Sequence, residues 1–237
     1  GVGAYTAAYL ATTSTVSPWL TLLLGVVLAV AAALLLGALT LRMSGHYLPL
    51  ATIAWGLALN YTMANMEWLG KYDGILGIPV LTLFGVPLGT GRGLHPLVWS
   101  LALLAALAAL RLLDSRPGRA IRALKNGSTM AEAMGISTFR YKLTAFMIAA
   151  VLAAISGWLF AHFQRSVSPS PFGINKGIEY LFMAVLGGVG HVWGAFLGSA
   201  VVRLTEDQLQ VLLPKLLGSG GNFETIVFGI VLVVVLK

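Results

Sequence analysis

Seven predominantly apolar stretches recur along this chain: Trp19 to Leu41, Tyr47 to Leu69, Pro96 to Leu113, Thr138 to Phe163, Ile174 to Val189, Trp193 to Leu213 and Phe223 to Leu236. Several reach the ~20 residues that a helix needs to cross about 30 Å of hydrocarbon, where each backbone N–H and C=O must find a partner inside the protein. A transmembrane β-barrel would alternate over roughly ten-residue segments, and Ala102 to Leu110, "ALLAALAAL", does not alternate. With 58% hydrophobic and only 10% charged residues in 237, the chain lacks the charge to cover a soluble surface. The expected fold class is all-α, a polytopic transmembrane helix bundle of about six to eight spans, read as one domain over residues 1–237. Ile174 to Val189 is short for a full crossing and is expected to be re-entrant or half-crossing.

The net charge of +7 follows from the positive-inside rule more simply than from nucleic-acid binding, and no nucleic acid is expected as a partner. Arg111, Arg116, Arg119, Arg122, Lys125, Arg140 and Lys142 flank or fill one connection, opposed only by Asp114 and Glu132. Residues 114–137 are therefore assigned to the cytoplasm. Counting crossings outward then places Arg42 and the Gly190 region on that same side, and 70–95, 164–173 and 214–222 on the other. The stretch 70–95 is rich in Gly and Pro and broken by Asp73-Gly74, so it reads as an ordered loop with turns and not as a helix. The absence of Cys excludes disulfides and thiol chemistry. An opening on Gly1 without Met and an end at Lys237 on an apolar run read as a segment of a longer protein.

Enzymatic constellations are missing from the sequence. His46, His95, His162 and His191 are scattered, with no metal-type pair or nucleophile elbow, and each reads as a loop or interfacial histidine. Gly89, Gly91 and Gly93 are not followed by Gly-Lys-Ser/Thr, so no phosphate loop is present and no cofactor or metal is expected. Polar residues inside apolar segments are the stronger signal, because burying them in hydrocarbon is costly. Asn60, Asn65 and Glu67, with Tyr61 and Thr62 between them, gather at the outer end of the second run, and Asn175 and Glu179 share one helical face. These five, Asn60, Asn65, Glu67, Asn175 and Glu179, are candidates for a translocation path, or else polar helix ends at the interface. Arg203 stands three and four residues before Glu206 and Asp207, which reads as an internal ion pair. Gly187, Gly188, Gly190, Gly194 and Gly198 form a run whose small-xxx-small spacing at 190, 194 and 198 lets helix backbones touch.

The segment "RPGRAIRALKNGSTMAEAMGI", residues 116–136, is soluble in character. Ser115 caps a short helix with Pro117 in its first turn, where the missing N–H costs nothing. Asn126-Gly127 ends it, and Thr129-x-x-Glu132 matches a capping box for a second short helix that stops at Gly135. Arg119, Arg122 and Lys125 stack on one side of the first helix. Ala131, Ala133 and Gly135 are small enough for another backbone to approach, and Met134 is an adaptable apolar knob. One basic helix and one small, apolar helix suit docking to a cytoplasmic partner. A basic amphipathic loop on anionic lipid explains the first but not the second.

"RAIRALKNGSTMAEAMGISTFRYKLTAFMIAAVLAAISGWLFAHF" resembles the cytoplasmic coupling region and following helix of permease subunits of branched-chain amino-acid ABC transporters. "FGINKGIEYLFMAVLGGVGHVWGAFLGSAVV", "GVGAYTAAYL" and "KYDGILGIP" resemble that family's segments in the same order. The resemblance implies a multi-pass subunit of the bacterial inner membrane, itself no enzyme, that imports branched-chain amino acids, or urea or short amides. It implies as partners a homologous second permease, two ABC ATPase subunits or fused domains, a periplasmic substrate-binding protein and membrane lipid. By position it assigns ATPase coupling to Arg119, Arg122, Glu132, Ala133, Met134 and Gly135. The family often carries acidic residues where this chain has Asn126, Gly127 and Ser128. Rival readings are a secondary transporter or channel using Glu67 and Glu179, and a structural membrane anchor.

Overall fold

The computed structural model describes residues 1–14, 16–43, 47–83, 86–88, 91–124, 127–188 and 190–217. His46, Lys125, Asn126 and the apolar run from Phe223 to Leu236 lie outside the described residues. Nine α-helices are described: α1 Val2–Thr13, α2 Pro18–Thr40, α3 Tyr47–Asn65, α4 Gly91–Asp114, α5 Arg116–Ala123, α6 Ser128–Ala133, α7 Thr138–Gln164, α8 Ile174–Leu186 and α9 Val192–Leu217. The fold class is the all-α helix bundle expected of a membrane protein. Among the described residues, α2, the Gly93–Asp114 part of α4, and α7 are long and apolar enough to cross a membrane. Helix α8 has 13 residues and spans about 20 Å, short of the hydrocarbon thickness, as its brevity in sequence implied.

Two boundaries differ from expectation. The second apolar run does not continue as a helix to Leu69: α3 stops at Asn65, Met66 is extended, and Glu67–Leu69 form a 3-10 turn closed by Gly70 at φ +78°. Residues 70–95 were expected to form no helix, yet α4 already begins at Gly91 and carries Pro96 inside. Pro96 lies close enough to the helix start to forfeit a single hydrogen bond there, which the apolar run behind it outweighs.

The chain forms two compact units, Gly1–Ile174 and a second beginning at Asn175. In the first, the short helix α1 is the centre of the core. Ala4, Ala7 and Ala8 are fully buried and Tyr5 nearly so, and α1, α2 and α7 pack on one another. The reason is side-chain size. A Cβ added at Gly3 would stand 2.7 Å from the Ala154 Cα, and one at Gly25 would stand 3.3 Å from the Gly3 carbonyl oxygen. The buried face of α2 is Thr21, Gly25, Ala29, Ala33, Gly37 and Thr40, a row of small residues at helical spacing, while its leucines and valines face outward. In hydrocarbon, contact is driven by close packing and not by hydrophobicity, so small residues mark the interface.

Residues 66–83 and 86–88 pack against one end of this core. Strand β1 (Ile75–Leu76) pairs antiparallel with β4 (Ser166–Val167) after α7, and β2 (Thr82–Leu83) with β3 (Val86–Pro87). Ile78 and Leu81 are fully buried. His162 contributes from the last turn of α7: it is 2% exposed, its Nδ1 donates to the Pro79 carbonyl at 3.0 Å, and its ring meets Trp158 edge-on. It is a buried pin and not the interfacial histidine expected. At the opposite end Arg42 lies over the Phe139 ring, 5.7 Å from its centroid. The end of α2 and the start of α7 therefore share one side, as the charge count required.

Candidate functional site

Four helix ends build the basic segment. Ser115 caps α5 as expected, its Oγ accepting from the Gly118 N–H at 3.3 Å with Pro117 in the first turn. Gly118 is indispensable for a reason not visible in sequence: a Cβ there would stand 2.0 Å from the Leu112 carbonyl oxygen, so α5 folds flush against the end of α4. The α4 carbonyls left without helical partners are taken by arginines. Arg119 Nη1 donates to the Asp114 carbonyl at 2.9 Å. Arg122 Nη2 donates to the Leu113 carbonyl and to the Asp114 carboxylate, the latter at 3.0 Å. Both guanidiniums thus turn back onto α4.

Helix α6 starts differently from expectation. Its N-cap is Gly127 at φ +116°, with no side-chain cap, so the Thr129–Glu132 capping box does not form. The Glu132 carboxylate has a competing partner that lies outside its own helix: Oε1 accepts from Thr138 Oγ1 at 2.5 Å, fastening α6 to the first residue of α7. The C-terminus is a Schellman motif around Gly135 at φ +78°, with Gly135 N–H to Glu132 O at 2.9 Å and Ile136 N–H to Ala131 O at 3.0 Å. Ala131 is spent inward, only 2% exposed, whereas Met130 and Met134 are 63% and 72% exposed. Glu132, Ala133 and Gly135 are exposed beside them. Met130 is a coupling candidate that the sequence reading missed, although its i,i+4 spacing to Met134 puts both on one side.

The polar residues at the other end do not converge into one site. Asn60 Nδ2 donates to the Pro169 carbonyl at 3.0 Å, tying α3 to the connection before α8. Asn65 Nδ2 returns to the Tyr61 carbonyl of its own helix at 2.7 Å. Glu67 pairs with Lys71 at 2.8 Å, with its side chain 84% exposed, on the turn beyond α3. An apolar cavity of about 180 Å³ lies instead among α1, α2, α3 and α7, lined by Ala29, Ala33, Leu36, Phe146, Ala150 and Ala153 among others.

In the second unit, α8 and α9 form an antiparallel hairpin. A Cβ at Gly187 would stand 1.8 Å from the Gly194 carbonyl oxygen, one at Gly194 2.0 Å from that of Gly187, and one at Gly198 1.9 Å from that of Met183. Backbone therefore touches backbone at 187, 194 and 198. Gly188 and Gly190 have a different role: their φ values of +91° and +113° belong to the turn, and a Cβ at either would meet nothing within 4 Å. Further along the hairpin four charges meet. Arg203 donates to Glu206 at 2.7 Å and lies 3.2 Å from Glu179; Lys176 pairs with Glu179 and lies 3.9 Å from Glu206. Two cations and two carboxylates balance, so Glu179 belongs with the Arg203–Glu206 pair. Asn175, one turn before Glu179, is exposed.

Comparison with known proteins covers nearly the whole chain. The family described as "Branched-chain amino acid transport system / permease component" matches residues 1–236. The high-affinity branched-chain amino acid transport system permease protein LivM of Salmonella typhimurium is 31% identical over 233 residues, 88% of this chain and 55% of LivM. The corresponding protein LivH of Escherichia coli K12 is 34% identical over 114 residues, 48% of this chain and 37% of LivH. The probable ABC transporter permease protein YphD of Escherichia coli K12 is 27% identical over 180 residues, covering 71% of this chain and 46% of YphD. The chain spans about half the length of the LivM proteins it matches. No solved structure matches.

Proposed function

The chain belongs to the family of branched-chain amino acid transport system permease components, and from that premise we propose that it forms the transmembrane passage of a bacterial ABC importer for branched-chain amino acids. Residues 1–237 act as one permease domain in the inner membrane, with 114–137 on the cytoplasmic side. The assembly comprises a homologous second permease, two ATPase subunits or domains and a periplasmic substrate-binding protein. The supporting observation is the build of α6. It offers Met130, Ala133 and Met134 outward while the Glu132–Thr138 hydrogen bond and buried Ala131 fasten it to α7. A push on α6 by an ATPase cleft is thereby delivered to a 27-residue helix packed along α1 and α2. Close-packed helices move as bodies and do not deform continuously. Coupling contacts centre on Glu132, Ala133, Met134 and Gly135, with Met130 added. Arg119 and Arg122 serve it by bracing α5 on α4.

The open, alanine-lined pocket offers an aliphatic side chain apolar contact and offers urea or a short amide almost no hydrogen-bonding partner, so it suits the aliphatic side chain better. Glu67 and Glu179 are already ion-paired, which suits a proton carrier poorly. The decisive experiment is leucine uptake into vesicles carrying the reconstituted complex, with native chain and with Ala133→Asp/Met134→Asp. ATP-dependent uptake that survives an uncoupler, together with loss of ATPase capture by the double variant, is expected. Uptake that needs a proton gradient, or equal capture by both forms, refutes the reading.

A further inference from the structure

The coupling reading accounts for α6 but leaves the arginines of α5 without a partner outside the protein. The geometry points to a binding surface for anionic phospholipid headgroups, built by α5 with the adjoining ends of α4 and α7. Three observations carry it. First, α5 lies at the depth of the membrane surface: one residue, Ser115, separates it from α4, which is apolar enough to span up to Asp114. Gly118 touches the Leu112 carbonyl, so α5 cannot stand off into solvent. Its axis is then within a helix radius, about 5–6 Å, of the last turn of α4. The headgroup layer is itself ~5–8 Å thick on each side.

Second, charge is concentrated at that depth. Arg111 in the last turn of α4, Arg116, Arg119 and Arg122 on α5, and Arg140 in the first turn of α7 are all exposed. Arg42, at the end of α2, joins the same side through Phe139. Among the described residues of 111–142 only Asp114 and Glu132 oppose them. Asp114 is held by Arg122, and Glu132 by Thr138. Third, the apolar residues of α5 are only partly exposed, since the helix packs on α4 and α7. The outward surface is therefore basic with little apolar area, which fits phosphate and not an apolar protein cleft. Helix α6, with its exposed methionines, has the opposite character.

The test uses the full-length permease in phosphatidylcholine vesicles with and without phosphatidylglycerol, reading the association of spin-labelled forms of each lipid by electron paramagnetic resonance. Arg116→Gln and Arg140→Gln are the variants, because Arg119 and Arg122 hold α5 in place. The native protein should prefer phosphatidylglycerol, with the preference weakening as salt is raised. Each arginine removed should lower the relative association constant about fivefold. An unchanged preference overturns the proposal, as does a variant that keeps its lipid preference and loses capture of the ATPase subunit. The inference rests on α4 spanning the membrane and not on the transport reading. Met130→Asp separates the two: it should lose the ATPase and keep the lipid preference, and if it keeps the ATPase, the coupling assignment fails while this one stands.

Discussion

Two glycine-to-alanine changes on one hairpin should have opposite effects. At Gly194 the new Cβ would stand 2.0 Å from the Gly187 carbonyl oxygen, with Gly187 C at 2.8 Å and Gly188 O at 3.1 Å. Real Cβ contacts to oxygen do not fall below about 3 Å, so α8 and α9 must part by about 1 Å, and both obstacles are backbone. A gap of that size forfeits roughly a quarter to a half of the dispersion attraction along the contact, and overpacking of this kind typically costs about 1–3 kcal/mol. Alanine returns at most about 1 kcal/mol of helix propensity. Gly177, in the first turns of α8, has nothing within 4 Å of its would-be Cβ, so Gly177→Ala keeps the propensity gain and meets no obstacle. The propensity gain is common to both variants, so they should differ by the overpacking cost, about 1–3 kcal/mol, which corresponds to roughly 2–12 °C in Tm. Thermal unfolding of the full-length protein in detergent reads this directly. Equal melting temperatures, or Gly194→Ala above Gly177→Ala, would refute the backbone contact between the two helices.

Gly118→Ala should lift α5 off the end of α4, since its Cβ would meet the Leu112 oxygen at 2.0 Å; cross-linking between cysteines placed on α4 and α5 should fall. Glu206→Gln leaves Lys176 and Arg203 with one carboxylate between them, and because Arg203 is half exposed the loss should be about 2 kcal/mol, measured as a Tm decrease. Trp158→Phe removes donation from Nε1 to the Pro18 carbonyl at 3.0 Å at a site 1% exposed. The Pro18 carbonyl keeps the Thr21 hydroxyl as donor at 2.7 Å, so the loss should be that of one hydrogen bond, about 1 kcal/mol, again read as Tm. Thr138→Val cuts the fastening of α6 to α7; under the proposed function, ATP hydrolysis should persist while leucine uptake per ATP falls, and unchanged coupling would count against the α6 lever.

Local signals in the sequence translate well into local structure. Ser115 caps α5 and Gly135 stops α6, because both depend only on hydrogen bonds among neighbouring residues. Thr129–Glu132 is equally local and yet fails, because the Glu132 carboxylate finds the Thr138 hydroxyl across the next turn. Sequence spacing groups Glu179 with Asn175 and apart from Arg203, since nothing along the chain says that Glu179 and Arg203 face each other until the hairpin is closed. His162 looks like any scattered histidine; its burial depends on the loop around Pro79, far earlier in the chain, folding over α7.

The amino-acid sequence by itself determined the membrane class, the approximate helix boundaries and the shared side of Arg42 and the basic segment. These follow from hydrocarbon thickness and charge cost, which act on each segment independently. The tertiary structure alone decided that α1 is the core. In water a buried face differs from an exposed one in polarity, and the pattern can be read along the chain. In a bilayer both faces of a helix are apolar, so "GVGAYTAAYL" carries no such contrast. What distinguishes its buried side is that Gly3, Ala4, Ala7 and Ala8 are small enough for α2 and α7 to close on them, and that is a property of three helices together.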